Sequence, residues 1–186
     1  MESIDEPVTL LGHSYGGNIA LEVSLLDVSL NGLILYEPGI PVGDHEMSDP
    51  SVITRMNDLL WQGNNEEALV VFLREVGQLT SAEIRMFRND PSWEDRVAGA
   101  HTLPREERAI SEHKLSTERF SSMTTPTLLL SGGDSPPKFT DAIDAIHEVL
   151  PDSRIFTFDG EQHVAMQNKP EEFTEVVVSF VREVSR

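Results

Sequence analysis

The sequence predicts an α/β protein in which helices cover both faces of a parallel sheet. Two observations lead to this prediction. Four short apolar runs lack the polar alternation of a half-exposed strand. Helical patterns separate the runs, and parallel strands need crossover connections of this kind. The four runs are residues 8–11, 32–36, 126–130 and 154–158.

The first run leads into a glycine-rich turn, residues 12–17 (GHSYGG), with a helical pattern directly after it. We expect a turn this tight to exclude side chains at Gly12 and Gly16, two places on either side of Ser14. The turn exposes the serine oxygen at the end of the strand. It also directs the backbone N–H groups of the next helix towards that oxygen, where they would stabilise an oxyanion.

The later core elements are bounded by glycine and proline. The helix after the turn is predicted to end near Leu26, and Pro38 closes the second strand. Gly132 breaks the third run, and Pro151 stops the helix that follows it. The last helix is predicted to start near Pro170, with one apolar stripe facing the core.

The long segment between the second and third runs contains no convincing strand. Its apolar spacing predicts several helices, one of them opened by a capping box from Thr80 to Glu83. Trp61 and Trp93 are expected in the core of this segment. The sequence is therefore divided into a core, residues 1–40 and 123–186, and a helical segment, residues 41–122.

The composition excludes several classes of function. The formal net charge is −18, from 32 acidic and 14 basic residues, so nucleic acid and anionic membranes would be repelled. With no cysteine, neither disulfides nor thiolate metal sites can form. There is no apolar run of membrane-spanning length, and a cytoplasmic location is expected. Because only three basic residues are lysines, an acid-rich surface suited to high salt is a further hypothesis.

The GHSYGG segment, in its strand-to-helix context, closely resembles the nucleophile elbow of the α/β-hydrolase family. The resemblance runs from Val8 to Val184 and implies a partial α/β-hydrolase fold, with residues 41–122 as a helical cap. It implies a serine hydrolase that cleaves a small ester, thioester or lactone through an acyl-enzyme on Ser14. It further implies that the Tyr15 backbone N–H is an oxyanion donor. The sequence contains neither a Gly-rich phosphate loop nor a metal-ligand cluster, so no cofactor or metal is expected.

The resemblance also implies a histidine base and a carboxylate. Residues 160–163 (GEQH) follow the fourth run and match the family's Gly-x-x-His signature, so His163 is the implied base. Asp134 fits the chain order serine, acid, histidine. Glu37 is the alternative acid, since some relatives carry their acid after the preceding strand. His13 is expected to point away from the serine oxygen and to be structural.

Four further histidines lack a supporting motif: His45, His101, His113 and His147. Relatives carry several strands upstream of the elbow, whereas here the elbow lies near Met1. That difference leads us to expect an unpaired strand edge at residues 8–11 and a homodimer formed through it. It also leaves an alternative function: an N-terminally truncated, catalytically impaired protein that binds small apolar ligands or needs an absent segment for activity.

Overall fold

A computed structural model describes residues 6–26, 29–42, 47–113 and 115–186. The chain divides into two compact units. One comprises Met1–Val42 and Leu115–Arg186, and the other comprises Gly43–Lys114. The division differs from the sequence-based one at residues 41–42 and, by a longer stretch, at residues 115–122. Phe120 explains the longer difference, because its ring is fully buried in a core cluster of the first unit.

The first unit is built on a parallel sheet with the strand order β1-β2-β3-β4. The fold class predicted from the sequence is therefore confirmed. Each strand extends past one end of its apolar run, because ladder hydrogen bonding depends on the backbone and not on the type of side chain. The strands are β1 (Val8–His13), β2 (Leu30–Tyr36), β3 (Thr127–Gly132) and β4 (Ser153–Phe158).

Nine α-helices lie within the described residues, and the segment between β2 and β3 holds five of them. They are α1 (Tyr15–Val23), α2 (Pro50–Trp61), α3 (Asn65–Val71), α4 (Ser81–Arg88), α5 (Trp93–Gly99), α6 (Leu103–Glu112), α7 (Pro137–Val149), α8 (Ala165–Asn168) and α9 (Pro170–Val184). A π-helical turn, Phe72–Val76, continues α3, and 3₁₀ turns cover Ala100–Thr102 and Thr117–Phe120.

Alternate residues of β2 are buried on opposite faces of the sheet, as the period of a strand requires. Leu33 and Leu35 pack in the cluster that includes residues of α1 and α7. Ile34 and Tyr36 pack in the cluster that includes α9. A strand covered on both faces has no polar alternation, which is the pattern that the sequence shows.

The helical segment confirms one prediction and corrects another. The Thr80 side chain accepts from the Glu83 N–H, and the Glu83 side chain accepts from the Thr80 N–H, so the capping box is present. Trp93 is buried as expected, but Trp61 is 92% exposed. The expectation for Trp61 was wrong because it is the last residue of α2, where the apolar face of the helix ends. None of the helices in the described residues is long and apolar enough to cross a membrane.

Candidate active site

Ser14 forms a sharp turn between β1 and α1. Its backbone has φ 53° and ψ −122°, a conformation that a residue with a side chain rarely adopts. The Ser14 N–H donates to the Tyr36 carbonyl at 3.0 Å, so β1 pairs with β2 up to the turn itself. The chain then enters α1 at Tyr15, whose N–H belongs to the first helical turn and has no intrahelical acceptor.

The glycines of the elbow differ in how much space a side chain would have. A Cβ on Gly12 would lie 2.5 Å from the Gly16 carbonyl oxygen, so the predicted collision at Gly12 is confirmed. The same prediction for Gly16 was wrong, because a Cβ there would meet nothing within 4 Å. The backbone of Gly16 lies close to β1, but a Cβ on Gly16 would extend into open space. The second tight position is Gly17, where a Cβ would lie 3.0 Å from Pro38 Cβ.

His163 lies at the end of the sheet where the elbow lies, next to the carboxyl ends of the parallel strands. Its ring centroid is 4.5 Å from that of His13, the residue that precedes Ser14. It also stacks on the Phe139 ring of α7 at 4.2 Å, with 16° between the planes. His163 is 6% exposed, so neighbouring rings and backbone hold its imidazole in one place.

The carboxylate of Glu37 contacts His163. Glu37 Oε2 lies 2.7 Å from His163 Nδ1, and both side chains are buried. A carboxylate can only accept, so Nδ1 carries the proton and donates it. In the neutral ring Nε2 is then left with a lone pair, which is the tautomer that a general base requires.

The second oxygen of Glu37 is also satisfied. Glu37 Oε1 accepts from the Gly132 N–H at 2.7 Å and from the Ser131 hydroxyl at 3.4 Å. Glu37 itself has φ 40° and follows β2 directly, with its N–H donating to the Leu130 carbonyl at 3.2 Å. A buried carboxylate needs hydrogen-bond donors, and here the end of β3 supplies them.

Asp134, the first choice from chain order, lies elsewhere. Its side chain is exposed on the turn after β3, and its backbone N–H donates to the Glu161 carbonyl at 2.8 Å. The single Nδ1 proton of His163 is already donated to Glu37. The structure therefore brings Glu37, and not Asp134, to the histidine. The physical reason is the position of each side chain. Glu37 follows β2 next to the His163 loop, whereas the short loop after Gly132 turns towards Glu161.

His13 contacts the backbone of the loop that carries His163. Its Nε2 is 2.9 Å from the backbone carbonyl oxygen of His163, and this nitrogen must be the donor because a carbonyl only accepts. The residue is structural, as expected, but its partner is the backbone of the histidine loop. Neither His13 nor Tyr36 of β2, described below, carried a sequence signal for this contact, since both partners are backbone atoms.

Other candidate residues add nothing to this arrangement. His101 hydrogen-bonds the carbonyl of Ala98, and His147 hydrogen-bonds the Ser153 hydroxyl. Both partners are near the histidine in sequence. His45 lies outside the described residues. Across the described ranges, no group of three or more His, Asp or Glu residues could hold a metal ion.

Known proteins share this fold. The model of the alpha/beta hydrolase family matches residues 1–176. An alpha/beta hydrolase from Sphaerobacter thermophilus DSM 20745 has a TM-score of 0.76 at 26% identity, covering 95% of this chain and 68% of that one. A hydrolase from Pseudomonas aeruginosa PA01 has a TM-score of 0.69 at 20% identity, covering 91% and 63%. None of the curated proteins matches the chain.

A third solved structure is of Est816, described as an N-acyl homoserine lactone degrading enzyme. Its TM-score is 0.62 at 18% identity, covering 95% of this chain and 68% of that one. The chain thus spans 63–68% of the length of these three structures. The family match over most of the chain, the parallel sheet and the elbow together show that the chain belongs to the α/β-hydrolase family.

Proposed function

We propose that the protein is a serine hydrolase that cleaves a small ester, thioester or lactone through an acyl-enzyme. Ser14 is the nucleophile, His163 the general base and acid, and Glu37 the carboxylate that orients the histidine. The observation that carries the proposal is the 2.7 Å contact between Glu37 Oε2 and His163 Nδ1. It supports a histidine in the tautomer that accepts a proton at Nε2.

In the proposed reaction, the Ser14 oxygen bonds to the acyl carbon while its proton passes to His163 Nε2. The carbonyl electron pair moves to the oxygen, and the Tyr15 N–H stabilises this oxyanion from the start of α1. The intermediate collapses, and His163 gives the proton to the departing alcohol, thiol or lactone oxygen. Water then attacks the acyl-enzyme, and the same histidine takes and returns its proton.

Glu37 supports this cycle through its charge. When the imidazole becomes positive, Glu37 Oε2 accepts from its Nδ1–H, while the Gly132 N–H and the Ser131 hydroxyl hold the other oxygen. The pair therefore stabilises the imidazolium without a second proton transfer. The proposal assigns no catalytic role to Asp134.

The helices α2 to α6 inserted between β2 and β3 are proposed to act as the cap that selects the acyl and leaving groups. The support is topological. The insertion leaves the sheet after β2, at the strand end that carries Glu37. Loops at the carboxyl ends of parallel strands line the ligand site in open α/β sheets.

The test is hydrolysis of a defined panel: p-nitrophenyl acetate and butyrate, an acyl thioester, and an N-acyl homoserine lactone. Wild-type protein should hydrolyse at least one class, with Ser14→Ala and His163→Ala reduced by about 10³-fold or more. Thr9→Ala is a matched control, since it removes a hydroxyl from β1 of the same sheet. A panel left untouched, or equal activity in Ser14→Ala, would contradict the proposal. Inactive protein that still binds apolar ligands would instead favour the impaired hydrolase-fold protein.

A further inference from the structure

The Tyr36 hydroxyl bridges two backbone groups on either side of His163. It donates to the Gln162 carbonyl, and it accepts from the Ala165 N–H at 3.0 Å. Tyr36 is the last residue of β2 and is fully buried, one residue before Glu37. The hydroxyl therefore ties the loop of the proposed base to the strand that carries the proposed acid.

A second side chain holds the same loop from the neighbouring strand. The His13 Nε2–H donates to the His163 carbonyl at 2.9 Å, and His13 pairs with Tyr36 in the parallel register. Three polar groups of the loop backbone, the carbonyls of Gln162 and His163 and the N–H of Ala165, are thus held by two side chains from adjacent strand ends.

Ring packing alone does not explain a tyrosine at position 36. Its ring lies 6.0 Å from the rings of Phe158 and Phe173, and a phenylalanine would preserve those contacts. The hydroxyl adds hydrogen bonds to a part-buried carbonyl and a buried N–H. Removing it would leave the buried N–H without that partner, which is unfavourable.

We infer that Tyr36 and His13 are positioning residues for the proposed hydrolysis. They fix residues 162–165 so that the His163 ring meets Glu37 in a single orientation. The inference rests on the proposed function and deepens it. A displacement of about 1 Å can lower a rate by about 100-fold, so small movements of this loop should matter. We expect substitutions of Tyr36 or His13 to lower the rate of the chemical step, because the hydrogen bonds of both side chains go to the loop backbone and not to the acyl group.

The test compares Tyr36→Phe with wild type by two readouts. The first is the rate of Ser14 phosphonylation by a fluorophosphonate probe, which needs the histidine as base. The second is the downfield proton resonance of His163 Nδ1–H, assigned by its loss in His163→Asn. In Tyr36→Phe the phosphonylation rate should fall about 10- to 100-fold. The Nδ1–H resonance should broaden or shift upfield.

Ile143→Val is the matched control for general destabilisation. Ile143 is buried in the cluster on the other face of the sheet, and losing one methylene should destabilise the fold by a comparable amount. That variant should keep both the rate and the resonance of wild type. His13→Leu should act as Tyr36→Phe does, whereas His13→Gln retains a donor and should recover much of the rate. If Tyr36→Phe does not fold, the two His13 variants decide alone.

The outcomes separate this inference from the proposed function. If probe labelling persists in Ser14→Ala, the proposed nucleophile is wrong, and the Nδ1–H resonance still tests the positioning role. If Ser14 is labelled but Tyr36→Phe matches wild type in rate and resonance, the positioning inference is overturned alone. An equal loss in Ile143→Val would also overturn it, since the effect would then be general stability.

Discussion

Ser14 and Glu37 occupy equivalent positions on adjacent parallel strands. Each directly follows its strand, Ser14 after β1 and Glu37 after β2, and the last residues of the two strands pair in register. Both have positive φ, 53° for Ser14 and 40° for Glu37. Each donates its backbone N–H to the next strand, Ser14 to Tyr36 and Glu37 to Leu130. In both strands, a last hydrogen bond to the neighbouring strand is followed by a residue with positive φ. Both side chains therefore lie at the carboxyl ends of the parallel strands.

The elbow makes a prediction about its three glycines. Gly12→Ala should destabilise the fold by about 1–3 kcal/mol, because the new Cβ would overlap backbone atoms of α1. Gly17→Ala should destabilise it less, since contact with Pro38 needs a shift of only a few tenths of an ångström. Gly16→Ala should be neutral or stabilising by up to about 1 kcal/mol, as alanine favours the helix.

Urea unfolding of the three variants measures this order. The prediction for the elbow fails if Gly16→Ala is as destabilising as Gly12→Ala. Activity measured on the same variants shows whether Gly16 has a separate role in substrate access.

The sheet and the elbow could be predicted from sequence because their signals are local. Residues 8–17 carry both an apolar run and a glycine pattern, and the backbone geometry of Ser14 follows from that stretch. The acid could not be chosen in this way. Asp134 and Glu37 both follow strands, and the choice depends on how far each side chain reaches across the sheet.

The contacts of Tyr36 and His13 with the His163 loop could not be predicted from the sequence for a related reason. Tyr36 bonds atoms 126 and 129 residues away along the chain, and those atoms belong to the backbone. Backbone acceptors carry no residue-type signature, so no spacing rule could show them. Tyr36 reads in the sequence only as one more apolar residue of a buried strand.

The Arg154–Glu183 pair, between β4 and α9, predicts a pH-dependent stability. Hydrogen bonds from Arg154 hold the pKa of Glu183 below its ordinary value of 4.5. A depressed folded-state pKa adds stability above the unfolded value, and that stability is lost as pH falls through the folded value. Glu183→Gln should therefore lower Tm near neutral pH, and the difference should vanish in acid.

Thermal melts across this pH range check the pair. Glu175→Gln is the control, because it removes a carboxylate of the same helix other than the one that Arg154 binds. A Glu183→Gln difference that persists unchanged below the ordinary glutamate pKa would rule out this linkage.

The acidic composition predicts a dependence of stability on salt. With a formal charge of −18, carboxylates repel one another across the surface, and salt screens that repulsion. Raising KCl from about 0.1 M to about 1 M shortens the screening length from about 10 Å to about 3 Å and should raise Tm. Sucrose, which is uncharged, serves as the control for excluded solutes. A Tm that does not change with KCl would count against the high-salt hypothesis.

The edge of the sheet predicts self-association. Within the described residues β1 lies at one edge, and Leu11 on it is 41% exposed. Pairing of two β1 strands would cover this edge, so light scattering at micromolar concentration should give the mass of a dimer. Leu11→Lys should shift the mass towards the monomer. A wild-type monomer under these conditions would refute the predicted dimer.

The central claim is that Glu37 orients His163 to activate Ser14, and the rate of fluorophosphonate labelling at Ser14 tests it most directly. Glu37→Gln and Asp134→Asn are the matched pair, because each neutralises one carboxylate with almost no change in size. The account predicts that Glu37→Gln lowers the labelling rate by up to about 10⁴-fold, while Asp134→Asn keeps the wild-type rate. A large loss in Asp134→Asn with Glu37→Gln unaffected would contradict it.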